Sequence, residues 1–180
     1  ALLAETLDLV RDETHAEGFM LRTEAHRIVD LGDDVYTRGR PHPMIDPFGR
    51  NELVHALAKD ADAGVLLADV VLGFGSHVDP AGELARAVEE MRAARGEASP
   101  ITVVATVTGA ADDPQDLTAQ SRKLEDAGIL IAGSVRAAVL LALRLLSPPG
   151  VASGTPPALL AGPASVIDIG LRSFADDLAS

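Results

Sequence analysis

The sequence contains no cysteine and no tryptophan, and aromatic residues make up 3% of it. Without cysteine there are no disulfides, thiolate metal sites or cysteine nucleophiles, a pattern expected of a cytoplasmic protein. With so few aromatic side chains the core has to be built from Ala, Val, Leu and Ile, and a ring-stacking site for a flavin is a poor expectation. Basic residues are also scarce. Lys and Arg number 15 against 27 Asp and Glu, a net charge of −12. That balance argues against nucleic acid and anionic membranes as partners, since both are recognised through basic patches. It leaves room for a small anionic substrate in a local pocket. No apolar run approaches the roughly 18 residues of a membrane span, and no signal peptide is visible.

What is present is a soluble globular composition, 47% hydrophobic and 23% charged over 180 residues, enough for one domain with a sizeable core. The chain opens at Ala1 on an amphipathic pattern (Leu2, Leu3, Leu7, Val10) that predicts a helix over residues 1–13. An opening of this kind reads as a piece of a longer protein. Strand candidates follow at residues 25–31 (AHRIVDL), 63–72 (AGVLLADVVL), 101–108 (ITVVATVT) and 128–132 (GILIA). The second is an almost unbroken apolar run, as a strand buried on both faces requires. Helical patterns occupy residues 52–58, 82–95, 116–126 and 135–146. Strands alternating with helices imply right-handed βαβ units and a parallel sheet with helices on both faces.

Three Asp-Pro pairs, Asp46-Pro47, Asp79-Pro80 and Asp113-Pro114, each predict an N-cap followed by proline at the first helical position. Residues 147–164 are Pro-, Gly- and Ala-rich and read as a linker. Residues 165–180 read as the start of a C-terminal extension, or as a stretch adding an edge strand at residues 165–170 (SVIDIG).

Chemistry-bearing residues concentrate in loops. Residues 38–50, RGRPHPMIDPFGR, hold Arg38, Arg40, Arg50 and His42 among prolines and glycines that give the segment a defined shape. Guanidinium groups can grip a phosphate or carboxylate with two parallel hydrogen bonds; the bland alternative is pairing with surface carboxylates. His42 is a candidate proton donor or a structural loop histidine. Residues 73–82, GFGSHVDPAG, follow the long apolar strand. Gly73 and Gly75 permit close backbone approach, Ser76 supplies a donor, and His77 falls at the carboxyl edge of the sheet, where ligands bind in such folds. The spacing is neither a P-loop nor a dinucleotide fingerprint, and a solvent-facing loop histidine is the competing reading. Asp69 interrupts the apolar strand; a buried carboxylate there has to be paired or protonated, and it either orients a catalytic group or bonds loop amides. Asp112 and Asp113 are a weak magnesium candidate that capping explains as well, and Ser134 reads as a helix cap. No Ser-His-Asp order, nucleophile elbow, HExxH or metal-spaced cluster is found, so no metal is assigned.

The strings TRGRPHPMIDP (residues 37–47), LLADVVLGFGSHVDPAGELA (66–85) and TGAADDPQ (108–115) resemble the FdrA family, which is related to the α subunit of succinyl-CoA synthetase. The resemblance covers most of residues 1–146. It implies a three-layer, flavodoxin-like CoA-ligase domain, here without its first strand, normally preceded by a CoA-binding domain. No cofactor is then expected on this fragment, CoA being a ligand of the full-length protein. Succinyl-CoA synthetases carry a phosphorylated histidine in a Gly-His-Ala-Gly-Ala loop after the fourth strand. The matching stretch here, residues 108–128, has no histidine, which excludes that chemistry at that place. Asp69 loosely matches a glutamate that supports the phosphohistidine in the synthetases. The family is also linked to carbamoyl transfer within a multi-subunit enzyme. The resemblance thus implies an enzyme subunit handling an acyl or carbamoyl phosphate; the loop residues then place Arg38, Arg40, Arg50, Gly73, Gly75 and Ser76 on the anion and His42, His77 and Asp69 in the chemistry. A docking or assembly domain, working with partner subunits or as a homo-oligomer, is the alternative.

Overall fold

A computed structural model describes residue 7, residues 10–11, residues 20–146 and residues 165–170. The elements, in chain order, are β1 (Val10–Arg11), β2 (Met20–Arg22), β3 (Arg27–Asp30), α1 (Asp34–Thr37), α2 (Phe48–Ala56), a 3-10 turn (Leu57–Lys59), β4 (Ala63–Val71), α3 (Pro80–Arg95), β5 (Thr102–Thr108), α4 (Leu117–Asp126), β6 (Leu130–Ala132), α5 (Val135–Leu146) and β7 (Ser165–Gly170).

All seven strands form one sheet in the order β1-β2-β3-β7-β4-β5-β6. From β3 to β6 every pairing is parallel. This is the flavodoxin-like α/β arrangement, with helices on both faces. β4 is the spine, its seven residues from Val65 to Val71 running in register with Thr102 to Thr108 of β5. Side chains alternate across it. Leu66, Ala68 and Val70 join the core beneath α2, α3 and α4, whereas Val65 and Leu67 pack under α5 with Ala138, Val139 and Ala142. A strand covered on both sides cannot alternate apolar with polar, which is why its sequence is a continuous apolar run.

Three expectations are corrected. The helix over residues 1–13 gives way at Val10–Arg11 to a strand; Leu2 and Leu3 lie outside the described residues. Val10 and Arg11 pair antiparallel with Arg22 and Leu21, and β2 pairs antiparallel with β3. The Thr23 hydroxyl holds that hairpin by accepting from the N–H groups of Ala25 and His26, so ladder bonds override a periodicity carried by four residues. Second, Ser165–Gly170 is no edge strand. It lies inside the sheet, parallel to β3 on one side and β4 on the other, in the position that a first strand takes in a flavodoxin-like sheet. Third, only one Asp-Pro pair behaves as expected. Asp79 caps α3 with Pro80 at the first helical position. Asp46 accepts from Phe48 N at 3.0 Å, two residues ahead of the helix start, while Pro47 takes the cap position. Asp113 instead closes a turn with Ala110 N at 2.6 Å, and α4 is capped by Asp116, at φ 57°, through Thr118 N and Ala119 N. Ser134 caps α5 through Ala137 N at 3.1 Å.

Candidate functional site

The loops that leave β3 and β4 meet at the carboxyl edge of the sheet. The His77 N–H donates to the Met44 carbonyl at 2.8 Å, which ties residues 73–79 to residues 42–46. The two histidines of these loops are held alike. His42 Nδ1 accepts from Met44 N at 3.1 Å, and His77 Nδ1 accepts from Asp79 N at 3.1 Å. A ring nitrogen that accepts carries no proton, so in each neutral imidazole the proton sits on Nε2. Both rings therefore present Nε2–H as a donor. The His42 carbonyl also closes its own turn, accepting from Ile45 N and Asp46 N.

Beside His77 a cleft of about 280 Å³ runs between α2 and α3. Asp46, Asn51 and His55 line one wall, and Glu83 and Arg86 the other, with Phe48 at its rim. Helical spacing makes the walls: Asn51 and His55 are four apart on α2, and Glu83, Arg86 and Glu90 recur on one face of α3. The walls are cross-linked. Asn51 Nδ2 donates to Glu83 Oε2 at 3.3 Å, His55 Nε2 lies 2.9 Å from Glu90 Oε2 without in-line hydrogen-bond geometry, and Arg86 pairs with Glu83 and Glu90. With Asp46, Glu52 and Glu83 against a single, already paired Arg86, the cleft is acidic.

Arg50 does not join an exposed arginine cluster. The helix starts at Phe48, earlier than its apolar pattern suggests, and its first turn carries Arg50 inward to 6% exposure. The guanidinium donates to Asn51 Oδ1 and to the Pro80 carbonyl, joining α2 to the first turn of α3. Burial pushes its pKa down to about 10, against the opposing charges of Asp69 and Glu83. Asp69, also buried, thus lies within the electrostatic reach of Arg50 and stands opposite Thr106 in the β4–β5 register. Arg38 and Arg40 are exposed, on the loop that carries His42.

The glycine turn is clamped rather than open. Gln115, 9% exposed, accepts from Gly73 N at 3.0 Å and donates from Nε2 to the Gly73 carbonyl at 2.9 Å and the His77 carbonyl at 3.2 Å. The Gly73 N–H is therefore already used and is not open to an anion. Gly73 has φ 131° and Gly75 φ 89°, backbone that a side chain would strain. The Ser76 hydroxyl is buried and has no hydrogen-bond partner among the described residues. Asp113 is engaged in its own turn through Ala110 N, and no group of three or more His, Asp or Glu side chains placed to hold a metal is found among the described residues.

The structure thus brings together His42, His77, Gly73, Gly75 and Ser76 at one edge, buries Asp69 and Arg50 within electrostatic reach of each other, and leaves Arg38 and Arg40 in solvent. Asn51, His55, Glu83, Arg86 and Gln115 were not legible as site residues. The first four sit on helix faces whose mutual packing is tertiary, and only their spacing of three and four hints at a shared face.

Residues 1–145 match the CoA-ligase family. Over 126 residues the chain is 41% identical to the uncharacterized protein YahF of Escherichia coli (strain K12), an alignment covering 69% of this chain and 24% of that one. The chain thus matches about a quarter of the length of this curated relative. No helix among the described residues is long and apolar enough to cross a membrane.

Proposed function

Since this chain belongs to the CoA-ligase family, we propose that it is the flavodoxin-like domain of a cytoplasmic, FdrA-like enzyme subunit, related to the succinyl-CoA synthetase α subunit, that handles an acyl or carbamoyl phosphate. The observation that carries the reading is the His77 N–H to Met44 carbonyl bond, which sets two Nε2–H donors on neighbouring loops at the carboxyl edge. Donors fixed in direction can stabilise negative charge developing on a carbonyl or phosphoryl oxygen without reorganising. Arg38 and Arg40, exposed on the His42 loop, supply cationic groups for the phosphate in a chain that is otherwise acidic. Residues 108–115 hold no histidine, so the reading contains no phosphohistidine there; the acceptor attacks the acyl carbon, the bond from that carbon to the phosphate oxygen breaks, and inorganic phosphate leaves. CoA, if it is that acceptor, is held by parts of the full-length protein beyond this chain.

Calorimetric titration of the full-length protein with carbamoyl phosphate, CoA and succinate tests this. Saturable carbamoyl phosphate binding that Arg40→Ala and His77→Gln each weaken about tenfold or more, as loss of a charge-assisted bond implies, supports it. Binding of CoA alone, indifferent to both changes, removes the chemistry from this domain.

The second reading is a docking domain within a multi-subunit enzyme. It is favoured by Ile45, Phe48, Phe74 and Val78, which are 50, 61, 87 and 82% exposed on the same two loops and the adjoining helix start. Large apolar side chains grouped in this way mark interaction surfaces.

A further inference from the structure

We propose that Gln115 is a positioning residue for His77. The inference rests on the reading of His77 as a donor to the substrate. Gln115 leads from the loop after β5 into the turn before α4, and lies 42 residues from Gly73 and 38 from His77 in sequence. Its side-chain amide pairs with both backbone polar groups of Gly73, accepting from N–H and donating to the carbonyl, as a neighbouring strand would. A third bond runs from the same Nε2 to the His77 carbonyl. One amide group therefore fixes both ends of the Gly73–His77 turn.

Two further contacts make the clamp specific. A Cβ on Gly73 would stand 3.9 Å from Asp113 Oδ1, so the loop carrying Gln115 lies directly against the glycine; a side chain there would also be strained by the positive φ. At the other end, His77 Nδ1 is set by Asp79 N and its backbone N–H by the Met44 carbonyl. With Gln115 on its carbonyl, His77 is held at three separate polar atoms, and the direction of Nε2–H follows from the backbone. A residue held only by its own turn would swing. A buried glutamine satisfied by three bonds to one loop has little reason to be polar other than to hold that loop, since an apolar residue of the same length fills the volume equally well.

Gln115→Met removes all three bonds at nearly constant volume. Gln115→Glu keeps the acceptor for Gly73 N–H but loses both donors and places a carboxylate against two carbonyls. In the full-length protein with ring-labelled histidine, the His77 nitrogen resonances, assigned by their loss in His77→Gln, are expected to shift in both variants. Amide exchange at Gly73 should rise about tenfold in Gln115→Met, with a smaller rise in Gln115→Glu, and carbamoyl phosphate affinity should fall in both. His77 resonances that stay in place in a folded Gln115→Met or Gln115→Glu protein overturn the clamp. Resonances that move while His77→Gln leaves carbamoyl phosphate binding intact support the clamp and overturn the functional reading instead, so the two failures are distinguishable.

Discussion

The peptide N–H of His77 donates to the carbonyl of Met44 at 2.8 Å, and through it the loop after β4 is fastened to the loop that follows β3 and α1. Each loop is separately stiffened by a histidine Nδ1 that accepts from the amide two residues ahead. The two imidazoles are therefore parts of one structure. His42→Ala and His77→Ala are each expected to cost about 1 kcal/mol, the net worth of one such bond. In a double-mutant cycle followed by urea unfolding they should couple by about 0.5 kcal/mol or more, because they share the joining bond. Strict additivity would show that the loops are independent.

Gly82 gives a prediction opposite in sign to helix propensity. It lies in the first turn of α3, where Gly→Ala ordinarily stabilises by about 0.5–1 kcal/mol. Here a Cβ would stand 2.3 Å from Asp79 Oδ2. Asp79 cannot yield, because Gly82 N, Gln120 Nε2 and Lys123 Nζ all hold its carboxylate. Gly82→Ala should therefore destabilise, by roughly 1–2 kcal/mol, the typical worth of an N-cap. Thermal unfolding of the single variant decides the sign.

The same carboxylate makes stability depend on pH. Partial burial works to raise the Asp79 pKa, but the bonds from Lys123, Gln120 and Gly82 outweigh it and hold the group below its ordinary value. A carboxyl lowered on folding contributes stability that is present above its unfolded value, about 3.9, and is lost as pH falls through the lower folded value. Asp79→Asn should lower the melting temperature most at neutral pH. The gap from the parent should close as pH falls below about 4. A gap that stays constant through that range would assign the cap's worth to shape alone.

Much of the fold is legible along the chain, because it rests on local signals. The apolar run of β4 declares a strand covered on both faces, and Val135–Leu146 follows from helical periodicity to the residue. Ser165–Gly170 is legible as a strand but not in its place, because insertion between β3 and β4 depends on partners more than 90 residues away in sequence. Asp79-Pro80 and Asp113-Pro114 look alike in sequence; what separates them is Asp116, which adopts a positive φ and takes over the cap. At the candidate site, the place of His77 at the carboxyl edge could be read from its glycine-rich surroundings after a buried strand. Arg50 could not be judged from residue type, since its burial follows from where α2 begins. The Gln115 clamp left no local pattern at all, being a bond between two βα loops.

The apolar side chains at the loop tips test the docking reading. Phe74 and Val78 are 87 and 82% exposed, so Phe74→Ser with Val78→Ser should leave the unfolding midpoint within about 0.5 kcal/mol of the parent. If a partner subunit covers them, the same pair should lower the assembled fraction of the full-length protein in sedimentation velocity. An unchanged distribution would free this surface from an assembly role.

The most direct measurement is ³¹P NMR of the full-length protein with carbamoyl phosphate, compared with its His77→Gln variant. The account predicts that the substrate resonance shifts and broadens on binding, that His77→Gln moves this change to about tenfold higher concentration or beyond, and that no phosphoimidazole resonance arises. A phosphohistidine signal, or a substrate resonance indifferent to His77, would contradict it.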